Sequence, residues 1–542
     1  MPTPCYVLRA QEERNDYSVR MPLAVAIALV LQACTSVGPD YQPPRASVAD
    51  HWQATSEDAY TDEVLQNTSD EAGYRDWWTN FKDPVLNELV NMARSENLSL
   101  QVAGLRVIEA RAELGIAVGN LYPQSQATRG SSSAFGLSDN QANILPGFLE
   151  TRYREADLGF DVAWELDLWG RFRRAIEAAD AALLSEIAGY DDVLVTLAAD
   201  VATAYVLIRT FEERLVLAQD NVAIQTRSLE IAEVRYKNGL TTELDVQQAR
   251  ALLANTKASI PDLDLGLRQT QHALSVLLGL PPSSLRDRLG RGPKEIPKPP
   301  MRIALGMPAE LLRRRPDIRQ AERSAAAQSA AIGLAKADLY PSFTLAGSVG
   351  LRSGDTGASS LGDLFNSDSL EYSAGPGFTW NILNYGRIKN AVRVEDAVFQ
   401  QTVLNYQNIV LRAAQEVEDA VVSFTRTRAR VDYLSTGVVA AERSVDLALV
   451  QYRDGTADYT RVLDTQESLL DQQDSYTAAR GDVLESLIEA YRALGGGWQI
   501  RPKEGFVSSN LKNEMLERTD WGQLLQSDAT PPEDEGLRAP DW

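Results

Sequence analysis

Histidine and cysteine are almost missing from this 542-residue chain, which has only His51, His272, Cys5 and Cys34. Two cysteines give no disulfide framework and no cysteine-based metal site. The two histidines lie far apart and in unlike contexts. They build neither a His-rich metal motif nor a Ser/His/Asp arrangement. There is also no glycine-rich phosphate loop of the GxxxxGK type and no GxGxxG opening a helix after a strand. These absences do not exclude an enzyme, but they leave no catalytic constellation to name, and neither catalysis nor a cofactor is expected. Positive charge is in deficit as well: 75 Asp+Glu against 53 Lys+Arg leave a net charge of −22. That argues against a nucleic-acid partner, which needs a basic face for its phosphates. The acidity fits plain solubility or a polar lumen that favours cations, and net charge alone does not locate the charges.

A long apolar run is absent too. The stretch Met21 to Ala33 is too short to span a bilayer, which takes ~20 apolar residues. Its length suits the apolar part of a signal peptide, about 7–15 residues. It ends in Leu31-Gln32-Ala33-Cys34, which resembles the lipobox of bacterial lipoproteins. The resemblance implies that residues 1–33 are removed and that Cys34 is acylated on its thiol and new amino terminus. Gln32 stands where a small residue is usual, and the preceding segment balances Arg9, Arg14 and Arg20 against Glu12, Glu13 and Asp16. The alternative is a buried free cysteine after an apolar helix. Thr35 follows the cysteine; an Asp there is the inner-membrane retention signal of lipoproteins, so the outer membrane is expected. Gly38-Pro39-Asp40-Tyr41-Gln42-Pro43-Pro44 cannot be helical and reads as the start of an extended tether over 34–83.

Self-similarity organises the rest. Leu121-Tyr122-Pro123 returns as Leu339-Tyr340-Pro341, and Trp169-Gly170-Arg171 as Tyr385-Gly386-Arg387. Tyr236-Lys237-Asn238-Gly239 returns as Tyr452-Arg453-Asp454-Gly455, and Leu278-Gly279 as Leu494-Gly495. Order and spacing agree, so two copies of one long unit occupy 84–305 and 306–498. Each copy is expected to begin with a helical stretch, Pro84–Gly119 and Pro308–Ala337. Tyr-Pro stops it, because proline cannot continue a helix and restricts its predecessor.

Two alternating segments follow in each copy. Leu158, Phe160, Val162, Trp164, Leu166 and Leu168 alternate with Gly159, Asp161, Ala163, Glu165 and Asp167. Tyr372, Ala374, Pro376, Phe378, Trp380 and Ile382 alternate with Ser373, Gly375, Gly377, Thr379 and Asn381. Phe343 to Arg352 alternates likewise, whereas the equivalent strand near Gln126–Leu137 is Gly/Ser-rich and far less clear. Period-two patterning indicates strands with one apolar and one polar face. An ordinary sheet over a soluble core would share the pattern. The strand lengths and the carboxylates on the polar face instead match membrane barrel strands, apolar to lipid and polar to water. Asp161, Glu165 and Asp167 are the candidate lumen carboxylates.

After each strand pair comes a very long helical run. Gly170 to Asn238 contains no proline, a reach of ~100 Å at about 1.5 Å per residue. Leu194, Leu197, Val201, Ala204, Ile208 and Phe211 recur at spacings of three and four, as do Val410, Ala413, Val417, Ala420 and Phe424. These are coiled-coil seams. A glycine turn then reverses the chain into partner helices over Thr241–Leu278 and Asp458–Leu494. A lipid-anchored structural coiled coil of the periplasm would share the seams but not the strand alternation. The fold class is thus mainly α with a membrane β-barrel portion. An open sheet edge in lipid leaves backbone groups unpaired at several kcal/mol each. Two copies of two strands fall short of the ~8 a membrane barrel needs, so the chain must oligomerise.

The motifs Gly38-Pro39-Asp40-Tyr41, Trp78-x-x-Phe81-x-Asp83-Pro84-x-Leu86, Pro308-Ala309-Glu310-Leu311-Leu312, Arg314-Arg315-Pro316-Asp317-Ile318, Leu339-Tyr340-Pro341 and Ala493-Leu494-Gly495-Gly496-Gly497-Trp498 together resemble the NodT-type lipoproteins. Those belong to the outer-membrane factors of TolC and OprM kind. The resemblance covers roughly 34–500. It implies a homotrimer with a twelve-stranded barrel in outer-membrane lipid of a Gram-negative bacterium, a twelve-helix periplasmic tunnel and an equatorial collar. It also implies a periplasmic adaptor and an inner-membrane efflux pump as partners. The family closes its periplasmic tip at the helix turns, here Tyr236–Val246 and Tyr452–Asp464. Asp464 matches the position of a constricting acidic ring, with Asp458, Thr460 and Arg461 beside it; Thr460 departs from the apolar residue frequent there. Residues 499–542, with Pro531-Pro532-Glu533-Asp534-Glu535, are expected to form an acidic tail that is flexible or loosely wrapped around the collar.

Overall fold

A computed structural model describes residues 36–53, 65–66, 72–138, 150–282, 285–290, 294–299, 303–304, 314–357, 359–501 and 505–525. Cys5, Cys34 and the apolar run before Cys34 lie outside the described residues. Helices α1 (Pro84–Glu96) and α2 (Leu98–Gly119) lead into strands β1 (Ser125–Gly136) and β2 (Arg152–Leu166). Then come the long helices α3 (Arg171–Lys237) and α4 (Glu243–Leu277). The second copy repeats the order as α5 (Pro316–Ala337), β3 (Ser342–Gly354), β4 (Leu370–Thr379), α6 (Arg387–Arg453) and α7 (Tyr459–Ala493). The repeat extends to length: α3 and α6 each have 67 residues, and α4 and α7 each have 35.

The expected single helix over Pro84–Gly119 is broken at Asn97, whose backbone turns extended (ψ 123°) and whose side chain accepts from the Leu100 amide. The repeated glycines are explained by conformation. Gly170 and Gly386 enter the long helices at φ 77° and 83°, and Gly239 and Gly455 turn the hairpins at φ 66° and 76°. These left-handed values favour glycine because a Cβ would clash.

The strands form one antiparallel sheet in the order β1-β2-β3-β4. Its outer strands, β1 and β4, each lack a neighbour on one side among the described residues. The Leu-Tyr-Pro motif is fastened to the sheet in the same way in both copies. Trp164 Nε1 donates to the Leu121 carbonyl at 3.1 Å, and Trp380 Nε1 donates to the Leu339 carbonyl at 3.1 Å. Each indole satisfies a carbonyl freed where proline stops the helix.

The main core is a collar around the middle of the helices. Leu86, Val107, Val201, Tyr205, Ile208, Phe424 and Leu487 are fully buried there. The apolar stretch of α3 is long enough to cross a bilayer but is mostly buried against neighbouring helices. Collar motifs interlock. Arg315 donates to Asp317, to Glu416 at 2.7 Å and to the Ala493 carbonyl at 2.8 Å, while Trp498 Nε1 donates to the Arg314 carbonyl. Asp83 caps α1 through the Val85 amide and accepts from the Tyr205 hydroxyl.

The described part of the tail takes the wrapped alternative and not the flexible one. Over 505–525 the chain packs against the collar: Phe506, Val507, Met515 and Leu525 are buried, and α8 (Ser509–Arg518) forms. Residues 526–542 lie outside the described residues.

Candidate functional site

The sheet has one apolar face that no other element covers. Leu158, Phe160, Leu345, Val349, Tyr372 and Phe378 all stand exposed, Tyr372 at 81% and Phe378 at 69%. A patch of this kind in water is a liability, whereas against lipid tails it is the stable arrangement. The opposite face is polar and charged. Arg129 of β1 donates to both oxygens of Asp161 at 2.7 and 2.8 Å, and Arg352 of β3 pairs with Glu155 at 3.1 Å. Glu165 lies on the same face, 3.5 Å from Arg171.

Asp167, expected beside Asp161 and Glu165, is a correction. The strand ends at Leu166, and the Asp167 side chain is only 8% exposed. Its carboxylate accepts from the amides of Phe172 and Arg173 at 3.1 and 3.0 Å and from Arg173 Nε at 3.0 Å. It caps α3, whose first turn follows Gly170 and so has no capping side chain of its own. The alternation reading carried the strand one turn too far. In the second copy, too, the strand stops at Thr379, short of the Trp380 and Ile382 expected on it.

At the far end of the hairpins the two glycine turns lie side by side. A small apolar cluster of Ala232, Val246, Ala249, Ala448, Tyr452, Tyr459 and Val462 joins them. Arg235 donates to the carbonyls of Tyr452 and Arg453 at 2.8 and 2.9 Å, and the Tyr452 hydroxyl donates to Asp245 at 3.3 Å. Burial, followed by the Asp245 charge, raises the Tyr452 hydroxyl above its ordinary pKa. The four residues singled out from sequence share one open groove on the α6–α7 side: Asp458, Thr460, Arg461 and Asp464, with Leu447 and Gln451. Asp458 also caps α7 through the Arg461 amide. Sequence reading missed Arg235, Asp245 and Tyr452 as a bridge, because nothing in one chain's motifs says which side chains meet across two turns. It likewise missed Arg129 and Arg352. Their signal was present as isolated arginines on strand faces opposite carboxylates.

The described start of the chain is fixed at the junction of sheet and helices. The Val37 amide donates to the Trp169 carbonyl at 2.9 Å, and Arg174 donates to the Val37 carbonyl and to Asp40. Tyr41 then donates to the Glu322 carbonyl, and Gln407 to the Arg45 carbonyl, so the segment runs along α5 and α6. In the collar, burial raises Asp191 to about 6 against the pull of Arg501 and Arg319. Burial also raises Asp192 to about 6, with Asp317 adding to it and Arg315 opposing. Among the described residues no group of three or more His, Cys, Asp or Glu is placed to hold a metal ion.

A strand sheet apolar on its outer face, with coiled-coil hairpins continuing it, defines a subunit of a membrane channel. The profile of the outer membrane efflux protein family matches residues 89–280 and 307–496. The chain belongs to that family and is an outer-membrane efflux channel, not an enzyme. It is 30% identical to Nodulation protein T of Rhizobium leguminosarum bv. viciae over 89% of this chain and 94% of that protein. It is 32% identical to the pyoverdine export outer membrane protein OpmQ of Pseudomonas putida, over 78% of this chain and 88% of the relative. Among solved structures, the outer-membrane channel OprN superposes with a TM-score of 0.76 at 33% identity, covering 86% of this chain and 100% of OprN. The MtrE channel of Neisseria gonorrhoeae, in its open state, gives 0.72 at 27% identity, covering 86% of this chain and 99% of MtrE.

Proposed function

We propose that three copies of this chain close a twelve-stranded barrel in the outer membrane and continue it as a helical tunnel across the periplasm. There a periplasmic adaptor and an inner-membrane pump deliver the substrate. The uncovered apolar sheet face, together with two outer strands that each lack a neighbour on one side among the described residues, carries this reading. Four strands per chain make eight in a dimer and twelve in a trimer, and the larger ring leaves room for a lumen. At about 1.5 Å per residue, the 67-residue helices reach ~100 Å. Transport is passive: no residue performs chemistry, and selection falls to the charges of the lumen and the tip. Asp161 and Glu165 line the barrel in this reading.

Lipid anchoring at Cys34 accords with Val37 being hydrogen-bonded to Trp169 at the base of the sheet, within a few residues of that cysteine. At the tip, three copies of Asp464 around one axis would repel one another, so closure needs compensating contacts and opening relieves strain.

In vivo crosslinking in native membranes, followed by identification of what co-purifies, tests the assembly. Recovery of trimers with an adaptor and an inner-membrane transporter is expected. Homo-oligomers alone, under conditions that capture a control pump complex, would overturn the tripartite reading in favour of an independent pore.

A further inference from the structure

Arg129, Gly159, Gly350 and Glu371 stand in one register row across all four strands on the polar face. The two glycines form a floor on which the arginine lies. A Cβ added to Gly159 would sit 3.5 Å from both Nε and Nη2 of Arg129. Stretched over that floor, Arg129 holds Asp161 through Nη1 at 2.7 Å, faces Asp157 through Nε at 3.8 Å and reaches Glu371 through Nη2 at 3.7 Å. Arg352, two residues further along β3 and so on the same face, takes Glu155 at 3.1 Å and shares Glu371 at 3.5 Å. The network therefore joins two guanidinium groups to four carboxylates, a net −2 per chain.

We infer that Arg129 and Arg352 determine the ion selectivity of the barrel. The inference rests on the reading that the polar face lines the lumen. The arginines cancel half of the carboxylate charge at this level and hold the carboxylates along the wall. A wall with both signs interleaved passes solutes of either charge. The same carboxylates left unpaired would make a strongly negative ring, because a narrow passage with low-dielectric walls focuses the field of its charges. Gly159 leaves just the room the guanidinium occupies, since a Cβ there would stand in van der Waals contact with it, whereas a Cβ at Gly350 would press on the Leu158 carbonyl at 2.9 Å.

The test uses the mature protein purified from its native membranes and reconstituted in planar bilayers, with reversal potentials measured under a potassium chloride gradient. Arg129→Gln combined with Arg352→Gln takes the network from −2 to −4 per chain. The cation-to-anion permeability ratio is expected to rise by roughly threefold or more at low salt and to return toward the parent value near 1 M salt, where charges are screened within about 3 Å. Arg129→Lys keeps the charge and is expected to keep the parent ratio. Asp161→Asn with Glu371→Gln is expected to shift the ratio toward anions, so the inference does not depend on one variant folding. A double-Gln channel with the parent ratio would overturn it, as would an Arg129→Lys channel shifted as far as Arg129→Gln. Labelling of Ser131→Cys by a membrane-impermeant thiol reagent separates the two levels. No labelling in intact trimers rejects the lumen reading itself, whereas labelling with unchanged selectivity rejects only the role of the arginines.

Discussion

Arg235, near the end of α3, lies 4.7 Å above the ring of Tyr452 and donates to that residue's own carbonyl at 2.8 Å. One side chain thus clamps both the side chain and the main chain of the opposite hairpin at its last turn. Tyr452 in turn reaches back to Asp245, which accepts from Thr241, so the two turns are latched in both directions. Helix propensity alone would let the hairpins splay; this latch and the apolar cluster beneath it hold them together.

Replacing Arg235 by alanine removes two charge-assisted hydrogen bonds from one nitrogen, such a bond being worth about 1.5–3 kcal/mol, and a cation–π contact of roughly 0.5–1 kcal/mol. The apolar cluster under the turns survives, so the protein still assembles. The expected result is a channel that leaks, with higher resting conductance in bilayers and greater susceptibility of cells to large antibiotics normally excluded. Intact Arg235→Ala trimers that conduct no more than the parent would remove this latch from the gating account.

The collar carries a pH dependence with a definite sign. Burial first, then the nearby Asp317 and Glu416 charges, raise Asp192 to about 6 against the opposing pull of Arg315 and Arg492. A carboxyl is ordinarily near ~3.9 when the chain is unfolded. The folded state therefore binds its proton more tightly. The associated stability is full below about pH 4 and lost as pH rises through about 6. Above that, the buried ionised carboxylate costs at most about 3 kcal/mol, since each pKa unit is ~1.4 kcal/mol. Asp192→Asn removes that cost without orphaning a cation, because Arg315 keeps Asp317 and Glu416. Thermal unfolding in detergent is expected to show the variant more stable than the parent at pH 8 and equal to it near pH 4.5. A constant difference at both pH values would refute the assignment.

Trp164→Phe and Trp380→Phe test the junction of sheet and helices. Each removes an indole N–H from a Leu-Tyr-Pro carbonyl while keeping most of the aromatic area. An unsatisfied carbonyl at a membrane boundary costs roughly 1–3 kcal/mol. Because the two sites are the same bond in two copies of one unit, their costs are expected to be similar and, sharing no partner and separated by β3, to add. Heat-modifiable gel mobility of the single and double variants reads this directly; a double variant as heat-resistant as the parent would show the bonds to be unimportant.

Much of this was legible in the sequence because the repeat is written in residues whose conformation is forced. Gly170, Gly386, Gly239 and Gly455 all have positive φ, and Pro123 and Pro341 end helices, so the anchors that revealed two copies also mark the corners of the fold. The alternation of Leu158 to Leu166 fixed the strand faces for the same reason: a pleat has one period. What stayed hidden is what depends on chain segments meeting at a distance. Asp167 follows the strand pattern in sequence, yet its carboxylate is drawn to the free amides of α3. Phe506 sits in an acidic tail, yet its ring packs against Tyr190, with Arg111 and Arg501 5.3 and 5.6 Å from it. Gln225 and Gln466 lie in helices whose apolar seam was readable, and nothing in that pattern says that the seam turns polar where α3 meets α7.

That polar layer gives the last prediction. Asn221 donates to Gln473 at 2.8 Å and Gln466 donates to Ser228 at 2.6 Å, both across the contact of α3 with α7. Gln225 lies between them, 2% exposed, and neither atom of its amide has a hydrogen-bond partner among the described residues. Such an amide costs about 1–3 kcal/mol in place, more than an apolar residue of the same shape would. In the proposed gating at the tip, a seam that carries this cost is poised to be relieved when the helices shift, whereas an all-apolar seam would resist shifting. Gln225→Leu is therefore expected to raise thermal stability and to lower both the opening frequency in bilayers and the efflux rate in cells. Gln225→Glu, which puts a charge in the same buried place, is expected to do the reverse. Stabilisation by leucine with unchanged opening would mean that the layer merely sets the register of the coiled coil. Reduced opening together with increased stability would mean that the unsatisfied amide serves the gate.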